Sequence, residues 1–172
     1  KGILLAFQDE SWPGLNPVLR SRWMRKREQT HVRTPGKNRR INVFITLLWP
    51  SRCLRYNIYR RRRVIEFKRH LQRLIGYVKR KNYRRLILIT DNAKAHQCAE
   101  ARRYIEENSA ILKVFYLPSY SPQLNEVEGR INRRIKHEVC ANHQHKTLEE
   151  LAKATRACLG TYNKRHKLTD AT

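Results

Sequence analysis

Arg85-Leu-Ile-Leu-Ile-Thr90-Asp91-Asn92 sets four consecutive aliphatic residues between a basic segment and an acid. A run that short, bounded by charge, reads as a buried strand. On its N-terminal side, Val64 to Lys81 carries apolar residues at 64, 67, 71, 74, 75 and 78, which is helical spacing. On its C-terminal side, Ala93 to Asn108 reads as a helix and Leu112 to Leu117 as another strand. Further upstream, Ile3 to Gln8 and Ile41 to Leu48 read as strands, with Arg55–Arg61 as the hairpin partner of the second. Ser11 to Arg40 holds Pro13, Gly14, Pro17, Pro35 and Gly36 and is mostly turns, with a short strand expected around Arg22–Met24. Two helices are expected at the end, Pro122–Ala141 and Thr147–Asn163, the second opening with the capping box Thr147-Leu-Glu-Glu150. Strands first, then helix–strand–helix–strand–helix, indicate an α/β fold with a mixed sheet flanked by helices.

The 172 residues suit one domain, and 40% hydrophobic composition is enough for a core. The balance of 38 basic against 14 acidic side chains leaves a formal charge of +24. Such a surface attracts polyanions. The basic runs, among them Arg20–Arg27 and Arg60–Arg63, recur along the whole chain, which points to nucleic acid as the partner. The apolar runs exclude a disordered basic tail, and none approaches the ~18 residues that cross a bilayer. Lys1-Gly-Ile-Leu-Leu-Ala-Phe7 reads as the start of a core strand and not as a signal peptide, so the chain is expected to begin inside a longer protein. The four cysteines lack a C-x-x-C pair and read as reduced thiols of a cytosolic or nuclear protein. Cys140, His143 and His145 cluster like zinc ligands, but the second half of a zinc motif is missing.

In so basic a chain each acid is informative. Asp9 and Glu10 end the first strand, and Asp91 ends the strand through Thr90. Ligands in α/β domains bind where strands end, and acids gathered there suit a hard divalent cation. Equally, Asp91 with Asn92 is a good cap for the next helix. Helical geometry at ~100° per residue treats the last acids differently. With Val127 at zero, Ile131, Leu124, Ile135 and Val139 form a core-facing stripe near 60°, and Glu128 at about 100° lies inside it. Glu126 falls at about 260°, on the opposite side, while Arg130, Arg133 and Arg134 form a basic outer face.

Asp9-Glu10-Ser11 after an apolar strand, Asp91-Asn92-Ala-Lys-Ala-His96 after another, and Leu117-Pro-Ser-Tyr-Ser-Pro-Gln-Leu-Asn-Glu-Val-Glu128 resemble the catalytic domain of DDE transposases, the mariner-like insertion-sequence branch of bacteria in particular. The resemblance runs over residues 3–166. It implies a ribonuclease-H-like fold with a five-stranded mixed sheet. It also implies a catalytic and metal-binding trio of Asp9, Asp91 and Glu128 around two Mg2+ ions, with Mn2+ as a substitute. Cutting of transposon ends and joining of 3′-hydroxyl ends to target DNA is the implied activity. Asn92 and His96 match positions that support the acids or contact DNA phosphate, and Arg60, Arg61, Arg62, Arg63, Arg130, Arg133 and Arg134 are the expected DNA contacts. The resemblance further implies a homodimer in the full-length synaptic complex, no membrane, and a cytoplasmic, nucleoid-associated location, or a nuclear one in a eukaryote.

Three departures stand out. Glu126 replaces the usual proline and rivals Glu128, since 34 residues separate it from Asp91 and 36 separate Glu128. Ile131 stands where the family often has tryptophan. The whole of 1–172 is expected to be one catalytic domain, without the helix-turn-helix region that reads terminal repeats. A catalytically inactive, domesticated remnant that only binds DNA and a ribonuclease-H-like nuclease are the alternatives, with a basic RNA-packaging protein more remote.

Overall fold

The computed structural model describes residues 2–21, 23–28 and 31–167. Five strands, β1 (Ile3–Ser11), β2 (Asn42–Trp49), β3 (Leu54–Tyr59), β4 (Arg85–Thr90) and β5 (Leu112–Tyr116), form one sheet in the order β3-β2-β1-β4-β5. β1 pairs antiparallel with β2 and parallel with β4, so the mixed sheet expected from the element order is present.

Alternation along β1 sends its even-numbered residues to one face and its odd-numbered residues to the other. Leu4 and Ala6 join Phe44, Leu48, Leu86, Leu88 and Leu112 in a core covered by α1 (Val64–Arg80) and α3 (Ala99–Glu107). On the opposite face, Val43, Ile45 and Leu47 pack with Val127, Ile131, Ile135 and α5 (Leu148–Lys167). β2 feeds both cores and is buried over nearly its whole length. At the sheet edge, Asn163 of α5 accepts a 2.6 Å hydrogen bond from the Leu54 N–H and donates one of 3.1 Å to the Leu54 carbonyl.

Several boundaries differ from the sequence reading. β1 runs on through Asp9, Glu10 and Ser11, because Ile45, Phe44 and Val43 of β2 give them pairing partners. Of the strand expected around Arg22–Met24, Arg22 lies outside the described residues, and Trp23 and Met24 have no regular structure. The helix expected over Ala93–Asn108 is two helices, α2 (Lys94–Gln97) and α3, broken by extended backbone at Cys98. There the Tyr116 hydroxyl takes the His96 carbonyl at 2.9 Å.

The helix expected over Pro122–Ala141 is also divided. A 3-10 turn (Pro122–Leu124) stops at Asn125, a π-helical turn spans Val127–Asn132, and α4 covers Arg133–Glu138. Asn125 is responsible for the first break. Its buried amide donates to the Gln8 carbonyl and its Oδ1 accepts the Val127 N–H, which pins the chain in extended form. Leu124 is consequently 50% exposed and not part of the core stripe, whereas Val127, Ile131, Ile135 and Val139 are buried as expected. The capping box before α5 forms with a shift: the Thr147 hydroxyl accepts the Glu150 N–H, and the Glu150 carboxylate accepts from Lys146.

Between β2, β3 and α1 lies His70, fully buried. Thr46 Oγ1 and Asn57 Oδ1 each stand 2.8 Å from one of its ring nitrogens. Burial, with the Arg73 charge adding, pushes its pKa down to about 3. The unfolded chain therefore takes up a proton here below pH 6.5 that the folded chain refuses until about pH 3, so stability falls as pH drops through that window. Urea unfolding of the wild type between pH 7 and pH 5 is expected to show this fall. His70→Gln should flatten the pH dependence by up to about 1.4 kcal/mol per pH unit. Identical slopes would exclude the assignment.

Candidate active site

β1 and β4 are parallel neighbours whose last paired residues are Phe7 and Ile89. Two residues beyond these stand Asp9, still within β1, and Asp91, just past the end of β4, so the register puts both acids at one end of the sheet. The π-helical turn packs beneath β1 and supplies Glu128. Asp9, Asp91 and Glu128 line one cavity of about 530 Å3, together with Glu10, Asn92, Asn132 and Lys136. Asn132 is buried and its Nδ2 donates to Asp9 Oδ2 at 2.8 Å, Glu128 Oε2 at 2.7 Å and the Glu10 carbonyl at 3.2 Å. Lys136 Nζ lies 3.3 Å from Glu128 Oε1. Glu126 does not line the cavity; it pairs with Arg130 one turn on. Between the two rival glutamates, the fold brings Glu128 to Asp9.

The electrostatics follow from this crowding. The Asp9 carboxyl is pushed up to about 8, first by burial and then by its contact with Glu128. Burial also raises Glu128, but the bonds from Asn132 and Asp9 and the charge of Lys136 outweigh it and hold Glu128 below its usual range. Their contact thus drives the two acids apart, Asp9 towards its neutral form and Glu128 towards its charged form. Across the cavity floor His96 is 1% exposed, with Nε2 3.0 Å from Glu10 Oε1 and Nδ1 2.8 Å from Asp91 Oδ1. Burial opposes its charge, yet the bonds to Asp91 and Glu10 win and raise its pKa to about 9. Asp91 shifts the other way: burial raises it, and the His96 contact more than reverses that.

Among the described residues, no three acid, histidine or cysteine side chains converge into a ready-made metal cage. Asp91 Oδ1 instead meets His96 and accepts the Ala93 N–H. The sequence offered capping and site membership as alternatives for Asp91; the N-cap position of α2 falls to Ala93, with no side-chain cap, while Asp91 lines the cavity. In kind, the donors fit a hard divalent cation: carboxylate oxygens on one cavity, two of the groups in contact, with Lys136 3.3 Å from one of them. Asn132 Oδ1 is buried beside them without a partner among the described residues.

The other expected residues divide. Arg60, Arg61, Arg62 and Arg63 are all exposed; Arg62 reaches Glu10 at 3.4 Å and lies over the Trp12 ring, next to the cavity. Arg130 and Arg133 are exposed. Arg134 is not part of that outer face: its side chain is 19% exposed, bonded to Glu138 at 2.9 Å and set against Tyr162. Asn92 ties two loops together, donating to the Leu117 carbonyl and accepting from Gln97. His96 supports Asp91 and is too buried to meet a DNA phosphate. His143 spends both ring nitrogens on backbone, at Gly14 and His145, which removes it from any zinc site. Asn132 and Lys136 were not anticipated, although they stand four and eight residues beyond Glu128, spacings that return to one helix face.

The family profile described as DDE superfamily endonuclease matches residues 4–152. The chain belongs to the DDE superfamily of endonucleases. Solved structures agree with this at the level of fold. The Mos1 transposase paired-end complex with left transposon end superposes with a TM-score of 0.66 at 17% identity, over 95% of this chain and 53% of that one. The catalytic domain of Mos1 mariner transposase gives 0.61 at 14% identity, over 95% and 78%. An intasome chain of simian T-cell lymphotropic virus gives 0.59 at 14%, over 91% and 47%. This DDE chain thus spans about half the length of the Mos1 chain in the paired-end complex and most of the isolated catalytic domain. Its mixed sheet is the ribonuclease-H-like fold of Mos1 transposase. No curated protein matches it, and no helix among the described residues is long and apolar enough to cross a membrane.

The raised pKa of His96 makes its ion pairs strongest below pH 6.5 and lost as pH rises through about 9. His96→Gln is expected to lower unfolding free energy by about 1–2 kcal/mol at pH 6, since it leaves buried Glu10 with Arg62 alone while half-exposed Asp91 is screened by solvent. The deficit should shrink by pH 9.5, where the wild type has lost the charge as well. Denaturant titration at the two pH values checks both statements.

Proposed function

We propose that residues 1–172 act as one catalytic unit that cuts DNA at transposon ends and joins the 3′-hydroxyl ends to target DNA. Asp9, Asp91 and Glu128 are the proposed catalytic and metal-holding residues, with two Mg2+ ions, or Mn2+ in their place. The observation that carries this reading is the meeting of three acids, distant in sequence, on one cavity of a chain with a charge of +24. Mos1 structures with Mn and with Mg support the choice of ions. When bound, the ions supply Lewis-acid polarisation of the phosphodiester and neutralise the acids.

The chain's own residues do the rest. Asp9 and Glu128 form the acidic wall of the cavity and would hold the cations through their carboxylate oxygens. His96, anchored by Glu10, fixes one oxygen of Asp91 and leaves the other for the cavity. Lys136 and Arg62 set positive charge where a DNA phosphate would enter. Arg60, Arg61, Arg63, Arg130 and Arg133 meet the backbone on either side, a contact that positions DNA without reading its sequence. A homodimer that synapses two ends and action on nucleoid DNA, or on nuclear DNA in a eukaryote, complete the proposal.

The test is cleavage and strand transfer on transposon-end DNA in Mg2+ and in Mn2+. Asp9→Asn, Asp91→Asn and Glu128→Gln should each lower the rate on the order of a hundredfold or more, a loss of several kcal/mol of transition-state stabilisation. Glu126→Gln should stay near wild type. Activity in Asp91→Asn equal to wild type would remove Asp91 from the chemistry, and binding without any cutting would favour a DNA-binding remnant. Cutting without joining would favour a simple nuclease. Independently, Arg61→Ala and Arg133→Ala should each reduce the salt slope of DNA affinity by up to about one.

A further inference from the structure

Asn132 stands apart from every residue that the acidic trio explains. It is 2% exposed, among the apolar side chains Val127 and Ile131 that anchor the π-helical turn. Burying an amide there is unfavourable unless its hydrogen bonds are made. Its Nδ2 faces three acceptors: Asp9 Oδ2, Glu128 Oε2 and the Glu10 carbonyl. An amide nitrogen has two hydrogens, so three acceptors at 2.7–3.2 Å share them. This one group therefore joins the strand that carries Asp9 to the turn that carries Glu128.

The chemical type matters as much as the position. Two carboxylates in contact repel each other once both are ionised. A lysine or arginine between them would relieve the repulsion but would compete with a cation for the same oxygens. A third carboxylate would add to the repulsion. A neutral donor is the type that fixes both acids and leaves their negative charge for a metal. Its Oδ1, buried and without a partner among the described residues, remains an acceptor beside them.

We propose that Asn132 is the positioning residue of the acidic pair: its amide sets the separation and orientation of Asp9 and Glu128 before a divalent cation arrives. The inference rests on the metal-holding role proposed above for those two acids. It differs from a packing role, which would lower stability and leave the cation affinity of the folded protein unchanged.

The experiment is calorimetric titration of the full chain with Mn2+, without DNA, alongside thermal melting in EDTA and in Mn2+. Asn132→Ala should weaken Mn2+ binding by about tenfold or more, the range seen when groups that orient metal ligands are removed. Binding within twofold of wild type would overturn the proposal. Asn132→Leu keeps the size of the side chain without the donor and reads the same point should the alanine variant not fold. Its rise in melting temperature from EDTA to Mn2+ should be smaller than that of wild type, because a cation held less tightly stabilises less; an equal rise would overturn the proposal. Wild type that binds no Mn2+ would overturn the metal-holding reading as well, so failure of the inference alone is recognised by a wild type that binds and variants that bind equally.

Discussion

Two carboxyl groups in hydrogen-bond contact, Asp9 on a strand and Glu128 on a π-helical turn, are the constraint around which this molecule is organised. Like charges at that distance cannot both ionise in a half-buried site without help. The protein answers with opposite shifts in acidity, a neutral amide at Asn132 and a lysine at the rim. The amide holds the two groups in place without neutralising them. The site is thus a place where electrostatic strain has been kept and not designed away, which is how functional sites differ from the rest of a fold.

Much of this was legible in the chain. The five strands and the flanking helices follow from apolar period and length, and the pairing of β1 with β4 brings Asp9 and Asp91 to one end of the sheet. The wheel through Val127, Ile131, Ile135 and Val139 found the right buried face and, with the motif, preferred Glu128 over Glu126. What escaped the sequence were local breaks. Cys98 interrupts a helix because Tyr116, distant in sequence, captures the His96 carbonyl. Asn125 stops a 3-10 turn because it bonds to Gln8 of another strand. Periodicity reports none of these tertiary bonds. Asn132 escaped for the same reason: an asparagine on a helix gives no sign of what its amide will meet.

The histidines make a related point. His70 and His96 are both buried, yet one is driven towards neutrality and the other towards charge. His70 meets a hydroxyl and an amide, whereas His96 meets two carboxylates. Burial alone predicts neither; the partners decide. Sequence identified His96 by motif and passed over His70, which serves the packing of α1 against the sheet.

The amide of Asn163, fastened to both backbone groups of Leu54, has a bearing on how the molecule behaves in company. β3 is the outermost strand of its side of the sheet, where a neighbouring copy could otherwise add a strand of its own. With its first residue already satisfied from within and Arg55 projecting nearby, that border is a poor template for edge-to-edge growth. The same amide that fastens α5 to the sheet thus also closes the start of its outer border.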